Sequence, residues 1–142
     1  MSVCEILVFP FTKKSNNIKY CLFKKKNEKE WKSIESTCEK DRSVMDTAKR
    51  RTWDISGIVM DSRMIKFDRK KKKSKIRFLS NYTCEKSITE CRECCFGVEV
   101  KNEEIIAGGQ MEYKWLSYKE AVSMLEKEED KKALCELNSR LN

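Results

Sequence analysis

A chain of 142 residues, 39% hydrophobic and 38% charged, has the apolar content for one buried core beneath a heavily charged surface. No apolar run approaches the roughly 18 residues that a membrane-crossing helix needs, so a helical membrane protein is excluded and no membrane partner is expected. Its 31 basic residues outnumber 23 acidic ones, for a formal net charge of +8, and phosphate-bearing partners are compatible with that excess.

In chain order, "MSVCEILVFPF" has neither a basic n-region nor a small-residue cleavage site, so a cytoplasmic location is expected. Within it "CEILVFPF" reads as a buried strand with Pro10 near its end, and "TKKSNN" as a turn. "IKYCLFKKK" alternates Ile18, Tyr20, Leu22 and Lys24 against Lys19, Cys21 and Phe23, which predicts a second strand. After the turn "NEKE", "WKSIES" is a short third strand.

Over residues 42–56 the period changes. Val44, Ala48 and Ile55, with Met45 and Thr52 beside them, recur at helical spacing and predict a helix with one apolar face. Asp41 or Ser43 is placed to cap its start, and Gly57 to end it in a left-handed conformation. "IVMDSRMIKFDR" and "SKIRFLSNYTC" then read as two strands joined by a lysine-rich turn, and "CCFGVEV" as a further strand. "KNEEIIAGGQ" is a loop broken by Gly108 and Gly109, and "EYKWLS" a last short strand. From Ser117, whose spacing to Glu120 makes a capping box, one helical stretch runs to Leu141 with Ala121, Leu125, Ala133, Leu134, Leu137 and Leu141 as its apolar set. No linker or repeat interrupts residues 1–142, so a single α/β or α+β layered domain is expected.

Two clusters invite a functional reading. The eight cysteines include "CRECC", Cys91, Cys94 and Cys95. A C-x-x-C pair is half of a zinc site, but the chain has no histidine and no second pair, and a strand would turn these side chains to alternate faces. Reduced, mostly buried thiols are the expectation. The run "DRKKKKSKIR" offers nucleic acid a non-specific, salt-sensitive contact through Lys70, Lys71, Lys72 and Lys73. It has no interleaved aromatics for stacking, which favours a solvated loop.

"EWKSIEST", "ECCFGVEV" and "MEYKWLSYKEAVSML", in that order around the predicted helix, resemble segments of the Nudix hydrolase family, in particular its dATP pyrophosphohydrolase (dihydroneopterin triphosphate pyrophosphatase) branch. The resemblance implies an α/β/α sandwich with a mixed central sheet. It also implies a box of the form G-x5-E-x7-R-E-U-x-E-E-x-G-U, U being aliphatic. Aligned on Gly57 and Ile58, the first glycine falls on Ser36 and the first glutamate on Arg42. Arg50 retains the box arginine, whereas Arg51, Asp54 and Ile55 stand at the next three glutamates. In the family such carboxylates hold Mg²⁺ or Mn²⁺, which bridges to phosphate and activates water. Here Asp54 alone is a carboxylate, and a guanidinium at 51 repels a divalent cation. The glutamate that the branch often carries before "Y-x-W-L" is replaced within Gly108, Gly109 and Gln110, with Glu112 nearby.

Three readings follow. The first is a Nudix-fold protein with a degenerate box that binds a nucleotide or another phosphorylated small molecule without metal-dependent hydrolysis. Arg51 and Arg42 would then take phosphate, with Trp31 and Glu112 lining the ligand site, and Arg50 would hold the helix by internal pairing. The bland alternative is that these arginines pair with Asp46, Asp54 and Glu39 at the surface. The second reading is an active pyrophosphohydrolase on a nucleoside or pterin triphosphate. It needs Mg or Mn on displaced ligands, Glu35, Glu39 and Asp54, with help from Glu99 or Glu112. The third is a basic nucleic-acid or protein adaptor. Trp53, at a variable box position, becomes a partner-contact residue if it is exposed.

Overall fold

The opening apolar run becomes the middle of a sheet because its side chains alternate between two covered faces. The computed structural model describes residues 2–39, 43–60, 63–70, 90–106 and 109–142; side chains at positions 2, 39, 70, 90 and 91 are outside that description. Strand β1 (Ser2–Lys14) pairs along one edge with β5 (Glu90–Glu99) in parallel. Its other edge is shared: β3 (Ile34–Glu39) pairs antiparallel with Val3–Val8, and β2 (Asn17–Lys25) with Phe11–Lys14. Pro10 sits where that edge passes from β3 to β2, so its missing N–H breaks no ladder there. With β4 (Met64–Lys70) beyond β5 and β6 (Met111–Ser117) beyond β2, the described residues form a mixed six-stranded sheet of order β4-β5-β1-β2-β6, with β3 paired to β1.

Helix α1 (Val44–Ser56) covers one face, and α2 (Tyr118–Met124) with α3 (Glu128–Leu141) the other. Leu7, Phe9 and Phe11 point to α2 and α3, along with Tyr20, Leu22 and Leu116. Cys4, Ile6 and Val8 point to α1, along with Cys21, Phe23 and Phe96. The second strand, read as alternating, is therefore buried on both faces along much of its length. The result is an α/β/α sandwich with a mixed central sheet.

The ends of α1 follow local chemistry. Ser43 caps it by accepting a hydrogen bond from the Asp46 N–H at 3.1 Å, and Gly57 ends it at φ 73°, donating to the Trp53 carbonyl at 2.8 Å. The other candidate cap, Asp41, lies outside the described residues, as does the expected strand over residues 74–84. The capping box forms reciprocally: the Glu120 N–H donates to the Ser117 hydroxyl, and the Ser117 N–H to the Glu120 carboxylate.

Three expectations need correction. The terminal helical stretch is two helices, because Leu125 turns extended (ψ 133°), stays buried and bridges to Trp31. The acids Glu128, Glu129 and Asp130 then start α3 where its N-terminal dipole favours them. The strand expected from Ile58 begins at Met64; Ile58 and Met60 are instead buried below α1 as loop residues. Finally, not all thiols are reduced. Cys4 and Cys94 occupy the α1 face of adjacent strands with Cα atoms 6.4 Å apart, and they form a disulfide. Cys95 points to the opposite core, so Cys94 and Cys95 face apart rather than towards one ion.

Candidate functional site

Between α1 and β3 lies an open cleft of about 690 Å³. One wall is formed by residues Ser33, Ile34, Glu35, Ser36 and Thr37, and the other by Arg51 and Ile55 of α1. Residues 51 and 55 are one turn apart, so they share this face of the helix. Phe23, Lys25, Lys32 and Met111 close the cleft from the sheet side. Lys25 is there because β2 alternates and Cys21, Phe23 and Lys25 share the α1 face; Lys32 is there because it bridges antiparallel to Phe23.

The electrostatics are cationic. Arg51 Nε donates to the Glu35 carbonyl at 3.2 Å, which orients the guanidinium along the cleft wall. Lys25 and Lys32 share one counter-ion, Glu28, at 3.9 and 3.8 Å. Exposed pairs at that length are weak and exchangeable. At the base, Ser33 is buried and its hydroxyl has no hydrogen-bond partner.

The sequence-derived site residues scatter. Arg51 and Ile55 line the cleft. Asp54 is exposed and is not part of the cleft lining. Arg50 lies instead in a groove on another side of α1 with Asp46, Lys49 and Trp53. Trp31 packs against the α2 and α3 core, with Lys24 and Lys114 Nζ at 5.6 and 5.3 Å from its ring centroid. Glu112 pairs with Lys24, and that hydrogen bond holds its carboxyl below the ordinary glutamate range. On β6, Leu116 faces the α2 and α3 core while Met111 and Trp115 face α1, so Glu112 points away from Arg51. Trp31 and Glu112 therefore do not share a ligand site with Arg51, and strand alternation is the reason. Glu99 pairs with Arg63 at 3.6 Å in a third location. Arg42, Lys71, Lys72, Lys73 and Gly108 lie outside the described residues, as do the side chains of Glu39, Lys70 and Cys91.

A divalent metal does not fit the cleft's donor set. The lining carries one carboxylate, Glu35, among Lys25, Lys32 and Arg51, whereas Mg²⁺ and Mn²⁺ need oxygen ligands and an anionic surround. Among the described residues no group of three or more acids or cysteines could hold a metal. Sequence reasoning missed Lys25, Lys32 and Ser33. For Lys25 the signal was the alternation of the second strand, which becomes informative only once its faces are assigned.

The layering and the mixed sheet recur among solved structures. A putative NUDIX hydrolase from Listeria monocytogenes superposes with a TM-score of 0.75 at 23% identity, over 96% of this chain and 92% of that one. The dihydroneopterin triphosphate pyrophosphohydrolase of E. coli gives 0.63 at 15% identity, over 92% and 91%. The NUDIX domain of Shewanella oneidensis NrtR, solved with ADP ribose, gives 0.68 at 12% identity, over 100% and 90%. No protein-family profile matches the sequence, and no curated protein sequence does. The chain thus has the Nudix fold.

Proposed function

We propose that this Nudix-fold protein binds a nucleotide or another small phosphorylated molecule in the cleft between α1 and β3, without metal-dependent hydrolysis. The observation that carries the reading is the replacement of the expected acids on the cleft face of α1 by Arg51 and Ile55, opposite Lys25 and Lys32. Phosphate oxygens accept hydrogen bonds from the guanidinium in bidentate geometry and from the two ammonium groups as point charges. Ile55, with Phe23 and Met111, presents apolar surface beside those donors and limits water around the ligand. Arginine replaces a metal as a counter-charge, but it does not lower the pKa of a bound water as a metal does. The ADP ribose held by the NrtR domain supports a nucleotide-like ligand for this fold.

A thermal-shift screen with dATP, ADP ribose and dinucleoside phosphates, run in EDTA, tests the reading. The expected result is stabilisation that needs no metal and that Arg51→Glu weakens about tenfold or more in affinity. No shift with any phosphate ligand overturns the binding reading. Release of phosphate or pyrophosphate from dATP in Mn²⁺ overturns the non-catalytic part of it.

A further inference from the structure

Three cysteines line up across three neighbouring strands beneath α1. Cys4 of β1 is the middle one: it stands directly opposite Cys38 in the antiparallel ladder with β3, and Cys94 lies on its other side in β5. All three are buried in the core under α1. Cys4 is bonded to Cys94, and Cys38 is a free thiol. Residues directly opposite in an antiparallel ladder have Cα atoms about 4.5–5.5 Å apart, and a disulfide spans about 4.4–6.8 Å. Cys38 is therefore as well placed for Cys4 as Cys94 is, at its Cα separation of 6.4 Å.

We propose that Cys38, Cys4 and Cys94 form a thiol–disulfide exchange relay in which Cys4 alternates between two partners. The Cys38 thiolate attacks Cys4 Sγ, and the Cys4–Cys94 bond breaks as the Cys4–Cys38 bond forms. Cys94 leaves as a thiolate and takes up the proton that Cys38 gave up. One disulfide and one thiol stand on each side of the exchange, so no external oxidant is consumed. Such an attack runs along the S–S axis, and the strand order β3-β1-β5 sets the attacking and leaving sulfurs on opposite sides of Cys4. Cys38 and Cys94 are two strand spacings apart, roughly 10 Å, too far to bond to each other.

The relay ends at the phosphate cleft. Among the described strands β3 pairs with β1 alone, and Ile34 and Ser36, which line the cleft, share the α1 face with Cys38. Thr47 Oγ1 lies 3.5 Å from Cys38 Sγ, and Thr47 is one helical turn before Arg51 on the same stripe. Exchange moves the cross-link from the β1–β5 pair to the cleft-wall strand, and it commits Cys38 Sγ, now against Thr47, to a bond with Cys4. An effect on a ligand rests on the function proposed above; the exchange itself does not.

Disulfide mapping on the full chain tests the relay, by equilibration in a glutathione redox buffer, acid quench, alkylation in denaturant and peptide mass spectrometry. Circular dichroism melts confirm that each variant folds. The wild type should yield both the Cys4–Cys94 and the Cys4–Cys38 linkage. Cys94→Ser should keep only Cys4–Cys38, Cys38→Ser only Cys4–Cys94, and Cys4→Ser neither. A wild type that yields Cys4–Cys94 alone overturns the relay without reference to any variant, as does folded Cys94→Ser with Cys4 and Cys38 both free. A Cys38–Cys94 linkage in folded Cys4→Ser overturns the central place of Cys4. In EDTA, Cys38→Ser and Cys94→Ser should differ about fivefold or more in affinity for dATP, and equal affinities overturn the link to the cleft. Mapped exchange with no thermal shift by any phosphate ligand supports the relay and overturns the cleft reading instead.

Discussion

The two faces of the central sheet are packed differently. Under α2 and α3, Leu7, Phe9, Phe11, Tyr20 and Leu22 are fully buried, and α3 comes so close to β5 that a Cβ on Gly97 would lie 2.5 Å from Leu137 Cδ1. Polar contacts pin the same helix: the Tyr20 hydroxyl donates to Asn138 Oδ1 at 2.6 Å, and Lys13 Nζ to the Leu141 carbonyl at 2.8 Å. Burial there holds the Tyr20 phenol and the Cys95 thiol neutral by raising both pKa values. Under α1 the core is smaller and richer in sulfur, with Cys4, Cys21, Cys38, Cys94 and Ala48, and the cleft opens between the helix and β3. The contrast extends along α1 itself. Arg51 and Asp54 are exposed, whereas the positions that hold α1 to the sheet, Ala48 and Thr52, are fully buried.

If the close-packed face carries the stability, Leu137→Ala is the most damaging of the substitutions considered, at about 2–5 kcal/mol by urea denaturation. Gly97→Ala should cost about 1–3 kcal/mol by overpacking. The double variant should cost less than the sum, because removing Leu137 removes the obstacle to the new Cβ. Additive losses would show that α3 does not rest on Gly97 as described. On the other face, Gly57→Ala should cost about 1–2 kcal/mol, for placing an L side chain in the left-handed region. Arg51→Glu should leave stability within about 0.5 kcal/mol of the wild type while weakening the ligand response, which separates fold from site on the α1 face.

The smallest effect concerns Glu112. Its folded pKa is depressed, chiefly by Lys24, from an ordinary value of 4.5. The favourable contribution is therefore present above pH 4.5 and is lost as pH falls through the lower folded value. Melting temperatures of wild type and Glu112→Gln should differ slightly at neutral pH and converge in acid. A difference that grows on acidification would reverse the sign and rule out the Lys24 pairing as its cause.

Much of the architecture was legible because it depends on neighbours in sequence. Ser43 and Gly57 bound α1 by local hydrogen bonding and a left-handed turn, and Ser117 with Glu120 starts α2 in the same way. The apolar set of the terminal stretch, Ala121, Leu125, Ala133, Leu134, Leu137 and Leu141, is buried throughout. The break after Met124 was not legible, since Leu125 is apolar in either conformation and only its bridge to Trp31 selects the extended one. The disulfide was equally hidden: Cys4 and Cys94 are 90 residues apart, and only the parallel pairing of β1 with β5 makes them neighbours.

The candidate site divides along the same line. By itself the sequence determined that the helix over residues 44–56 carries Arg51 and Ile55 one turn apart, because helical spacing is a local property. It also determined that Lys24, Lys25, Trp31, Lys32 and Glu112 fall on or beside strands. Tertiary structure decided which of them meet Arg51. A strand shows its alternation in sequence, but the partner helix on each face is chosen by long-range packing. That choice put Lys25, Lys32 and Ser33 in the cleft and turned Trp31 and Glu112 away from it.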